Sequence, residues 1–77
     1  MDKLNVSKFD KFLNGFVEVY EKERLILKGL LKKVYKNDET IDIFFLDGKI
    51  SYQLAVLDFE NIEKILEMEH GLKIVIK

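Results

Sequence analysis

The 77-residue chain has no cysteine, no proline and no tryptophan, and it has a single alanine (Ala55), a single histidine (His70) and a single arginine (Arg24). Without cysteine, neither a disulfide framework nor a thiolate metal site can be built, and a small domain lacking such staples is expected in a reducing compartment. One histidine cannot supply a histidine metal cage or a histidine–nucleophile pair within one chain, and its place beside Gly71 is that of a turn residue. Ser7 and Ser51 are the only serines, and neither lies in a G-x-S-x-G setting. The glycines at 15, 29, 48 and 71 are dispersed, one per turn or bend, so no phosphate-cradling loop is formed. Carboxylate pairs such as Glu60/Glu63 and Glu67/Glu69 read as a solvated face rather than acid–base machinery. The expectation is a chain without catalytic residues, metal or cofactor. No apolar run approaches the roughly 18 residues that span a bilayer. The opening MDKLNVSKFDKF is charged and lacks a secretory h-region, so a cytoplasmic protein is expected, with no membrane partner.

What is present is apolar and charged matter in near-equal supply. Hydrophobic residues make up 48% of the chain, which is rich for a domain that buries only about 60% of its unfolded surface. Either the core is unusually complete or another chain covers some of the apolar surface. The length allows one domain over 1–77, with an N-terminal helix in 1–15 and a β-rich core in 16–77. Lysine outnumbers arginine twelve to one, a bias expected of an AT-rich bacterial or phage genome. The net charge is only −1, yet the charges are segregated. Residues 22–36 carry six basic side chains against Glu23 alone, and residues 58–70 carry five acids against Lys64 alone.

Ser7 and Asp10 read as a helix start, with Phe9, Phe12, Leu13 and Phe16 at helical spacing and Gly15 as a left-handed stop. Two turns do not persist alone, so this aromatic face must be docked. From Phe16 the period changes to two. Strands are expected over 16–20, 25–35, 41–46 and 49–57, with Glu21–Arg24 and 36–39 as turns and Asp47-Gly48 as a hairpin. Gly29 inside the second strand marks a bend, a bulge or a close backbone approach. Residues 58–70 fit two structures. Asp58 as cap, Leu57 and Ile62 as staple and Gly71 as stop favour a helix slightly; alternation of Leu66, Met68 and His70 with acids fits a strand. Leu72–Lys77 is a strand in either case. The fold class is therefore α+β and mostly β, with a short helix before a strongly bent antiparallel sheet or a small barrel of about five strands.

Gly29-x-Leu31 with Val34, Ile41-x-Ile43, the Asp47-Gly48 turn and Phe59-Glu60-Asn61-Ile62 together resemble the Sm-like or SH3-like small β-barrels of bacteria, such as YolD-like proteins and the C-terminal domain of the ribosome maturation factor RimP. The resemblance spans about 45 residues and implies that 58–61 is a short turn and 62–68 a strand. The chain departs from those families in a longer stretch between Gly48 and Phe59 and in an added strand at 72–77. No Sm-type RNA-binding signature stands at its usual positions, so that role is not carried onto any residue.

Two surfaces are candidates for function. Arg24, Lys28, Lys32, Lys33, Tyr35 and Lys36 offer cations and a stackable ring, a candidate surface for a ligand or partner that includes single-stranded nucleic acid. A lysine-guarded strand edge explains the same residues without a ligand. Strands 25–35 and 41–46 are apolar on both faces, which implies a second covering layer. Ile26, Leu30, Phe44 and Leu46, joined by Glu63 and Glu67, form the candidate oligomer interface. The expected function is a non-catalytic, self-associating binding module that recognises a protein or a small charged ligand; the alternative is an Sm-like barrel binding nucleic acid through 22–36.

Overall fold

The structure, a computed structural model, describes residues 6–77. The first five residues of the expected N-terminal segment lie outside the described residues. A helix α1 (Ser7–Lys11) is followed by β1 (Phe16–Glu21), β2 (Arg24–Tyr35), β3 (Thr40–Asp47) and β4 (Ile50–Asp58), a 3-10 turn (Phe59–Asn61), β5 (Ile62–Met68) and β6 (Gly71–Ile76). The strands form one six-stranded sheet in the order β4-β3-β2-β1-β6-β5. Three expectations change. There are six strands rather than about five, the sheet is mixed because β1 and β6 run parallel, and it does not close into a barrel: β4 and β5 remain its two edges.

The sheet curves because four of its five pairings carry a one-residue register shift, which bends and twists the bulged strand. The extra residues are Ile26 and Lys32 in β2, Leu54 in β4 and Glu63 in β5. Gly29 is placed by close approach: a Cβ there would lie 2.6 Å from the Phe44 carbonyl oxygen of β3. The concave side holds the core, in which Val17, Val19, Leu31, Ile41, Ile43, Leu72 and Ile74 are fully buried, together with Ile62 and Ile65. The helix α1 lies on that side through Phe9, also fully buried, whose ring centroid is 5.4 Å from that of Phe59.

The helix is shorter than its sequence pattern. It has five residues, Val6 rather than Ser7 occupies the N-cap position, and Asn14 (φ 67°) rather than Gly15 takes the left-handed conformation that ends the segment. Asn14 N–H donates to the Leu31 carbonyl and Leu31 N–H to the Gly15 carbonyl, so β2 itself fixes the exit from the helix. Two ion pairs tie α1 to distant elements: Asp10 to Lys36 at 2.8 Å and Lys11 to Glu67 at 2.7 Å. Residues 58–70 resolve as turn plus strand, against the slight local preference for a helix. No helix among the described residues is long and apolar enough to cross a membrane.

Candidate interaction surfaces

The bulges decide which side chains face away from the core. Across the outer face, Phe16 of β1 stands opposite Leu30 of β2, and Leu30 stands opposite Phe44 of β3. This row of three large apolar side chains crosses three strands. Phe16 is 57% exposed, while Leu30 and Phe44 are half-buried by their neighbours in the row. Leu46 (53%) extends the apolar surface towards the β3–β4 loop, Val56 (50%) is exposed nearer the other end of β4, and Ile26 is exposed at its bulge in β2. The expected interface residues Ile26, Leu30, Phe44 and Leu46 therefore share the exposed apolar surface of β2 and β3. Sequence reasoning missed Phe16, assigned to the helix face, and Val56, whose cross-strand partner Asp42 is buried at 7% exposure.

The β3–β4 hairpin projects beyond the core. Its loop is Gly48-Lys49 with Gly48 left-handed (φ 62°), and Ile50, Tyr52 and Leu54 are exposed on it. The rings of Phe45 and Tyr52 stack at 5.0 Å, which gives the hairpin some packing of its own.

The basic residues of 22–36 are not gathered into one strip. The bulge at Lys32 turns Lys33 to the same face as Lys28, and each stands across from an acid: Lys28 from Glu18, Lys33 from Asp42. Such opposite charges attract across the strands. Lys36 is held by Asp10, and Lys32 Nζ donates to Asn14 Oδ1 at 3.4 Å. Arg24 pairs in register with Glu21, and exposed Tyr35 with Thr40. Among these cations Lys36 makes an ion pair, while Arg24, Lys28 and Lys33 have an acid only as a register partner.

The acidic segment is divided as well. Glu67 carries Lys11, whose hydrogen bond and charge hold its carboxyl below the ordinary carboxylate value. Glu63 lies in a shallow open depression of about 380 Å³ with Lys22, Glu23, Lys64, Leu66, Lys73 and Val75. A second depression of about 280 Å³ is lined by Asn37, Asp38, Glu39, Asp58 and Glu60. No group of three or more His, Cys, Asp or Glu residues is placed to hold a metal ion among the described residues. The chain matches no protein-family model, no curated protein and no solved structure.

Proposed function

We propose that the chain is a non-catalytic binding module that self-associates and recognises a protein or a small charged ligand. The observation that carries the reading is the row Phe16, Leu30 and Phe44 with Leu46, apolar surface on the side of the sheet away from the core, to which exposed Val56 adds. Large exposed apolar patches mark interaction sites in small soluble proteins. The mixed-charge depression around Lys22, Lys64, Lys73, Glu23 and Glu63 supports a charged-ligand component, since oppositely charged walls orient a small zwitterion or anion.

The alternative, an Sm-like sheet that tracks a phosphate backbone through Arg24, Lys28, Lys32, Lys33, Tyr35 and Lys36, draws less support. Lys36 is paired with Asp10, which a nucleic acid would have to displace, and Lys28 and Lys33 stand in register with Glu18 and Asp42, whose charges oppose a phosphate backbone.

Sedimentation across the micromolar range tests the main reading. A species heavier than the 9.1 kDa chain is expected, and Phe16→Ser/Phe44→Ser should weaken recognition of the protein or ligand partner while leaving the β spectrum intact. A monomer throughout, combined with tight binding to single strands that weakens steeply with salt, would reverse the ranking.

A further inference from the structure

The two edges of the sheet are built differently. The β5 edge carries Glu63, Lys64 and Glu67 along its seven residues, with Lys11 of α1 set on Glu67. Charges along an edge are a common device against strand addition. The β4 edge has only the bulge at Leu54 and a charge at its last residue. From Ile50 to Leu57 the sequence ISYQLAVL has no charge, no proline and no glycine, and Asp58 is the only charged residue in the strand. Nine residues at about 3.3–3.4 Å each make an edge roughly 30 Å long. Exposed Ile50, Tyr52, Leu54 and Val56 line it, and among the described residues no strand pairs with its outer side.

We infer that the β4 edge is the contact between two copies of this chain, joined β4 to β4 in antiparallel register to continue the sheet across a twofold axis. The inference rests on the self-associating reading and names its surface. Three features select a second copy as the occupant. The strand is neutral from 50 to 57, so its copy brings no like charges opposite one another. Antiparallel pairing sets the Lys49 end of one strand beside the Asp58 end of the other, so the charges that flank the strand attract at both ends of the ladder. Pairing of β4 with its own copy also closes after one step, whereas β4 on the charged β5 edge would propagate into an open filament.

The absence of cysteine makes the test direct. Single cysteines are placed in turn at Ser51, Tyr52, Gln53, Leu54, Ala55 and Val56, with Asn37→Cys on the β2–β3 turn as a control. Each otherwise intact chain is oxidised under mild conditions. A disulfide needs Cα atoms within about 7 Å, so only residues near the twofold axis can join their own copies. The expected result is disulfide-linked dimer at one or two central positions, several-fold above the control and falling towards both ends of the strand. Folding is checked for each variant by circular dichroism. Phe44→Ser is combined with the best-linking cysteine to separate this proposal from the broader one. Persistence of the linked dimer supports the edge. A dimer in sedimentation with no linkage anywhere along β4, or linkage abolished by Phe44→Ser in a folded chain, overturns the edge and leaves association through the outer face. A monomer throughout overturns both.

Discussion

Tyr20 donates its phenolic O–H to Glu18 Oε1 at 2.8 Å, and Lys73 Nζ stands 4.4 Å from the centre of its ring. These three residues share one face because β1 alternates strictly and β6 runs beside it in parallel register, with Glu18 opposite Lys73. The carboxylate accepts from the neutral phenol and repels the phenolate, so the Tyr20 hydroxyl titrates above the ordinary value of 10.0. A raised folded-state value means that the protonated phenol is the favoured form. Its contribution to stability is complete below the unfolded value and is lost as pH rises through the folded one. NMR titration of Tyr20 should give a midpoint above 10.0 that moves back down in Glu18→Gln. Glu67 is the opposite case: its lowered carboxyl adds stability above the ordinary value of 4.5, lost as pH falls through the folded one. Both groups lie at the surface, so these are local reporters of geometry rather than supports of the fold.

At the scale of elements, the bulge explains both what the sequence disclosed and what it hid. Ile62 and Ile65 are three residues apart, the spacing of a helix face, and both are buried in one strand because Glu63 is an extra residue between them. Leu31 and Val34 repeat the device around Lys32. A local reading of 58–70 therefore finds helical periodicity in a bulged strand, and nothing in that segment alone separates the two. The turns were legible even beside bulged strands: the Asp47-Gly48 hairpin and the turns at 21–24 and 36–39 fall within a residue or two of their expected places. The parallel β1–β6 contact was not legible, since it depends on where the chain goes after the 3-10 turn. If Glu63 is surplus to the alternation, its deletion leaves Ile62 and Ile65 two apart and still on the core side. Ile65→Ala instead removes core volume at a cost of about 2–5 kcal/mol. Urea denaturation should show the deletion to be the milder change. A deletion more damaging than Ile65→Ala would mean that the bend itself, and not the side-chain pattern, holds β5 in place.

Over the whole molecule, the charge asymmetry and the apolar surface make competing demands on assembly. A +5 segment at 22–36 and a −4 segment at 58–70 are suited to meet between subunits; within one, β1 and β6 stand between β2 and β5, although Lys22 and Glu23 line one depression with Glu63 and Lys64. The short helix nevertheless bridges them internally: Asp10 takes Lys36 from the basic segment and Lys11 takes Glu67 from the acidic one. These are the two ion pairs among the described residues; Lys28 and Lys33 stand in register with Glu18 and Asp42 without forming one. Contacts through the outer apolar row or the β4 edge would instead be driven by burial of apolar surface and by backbone pairing, which ordinary salt does not screen. The expected outcome is that raising sodium chloride from about 0.1 to 1 M, which shortens the Debye length from about 10 to 3 Å, changes the dimer dissociation constant by less than about tenfold. Sulfate should tighten the dimer by favouring burial. The end contacts between Lys49 and Asp58 would contribute a small salt-sensitive part, in keeping with exposed pairs worth about 0–1 kcal/mol each. A much steeper loss with salt would show that 22–36 and 58–70 meet across the interface. In that event Lys32→Glu/Lys33→Glu should dissociate the assembly, and adding Glu63→Lys/Glu67→Lys should restore part of it.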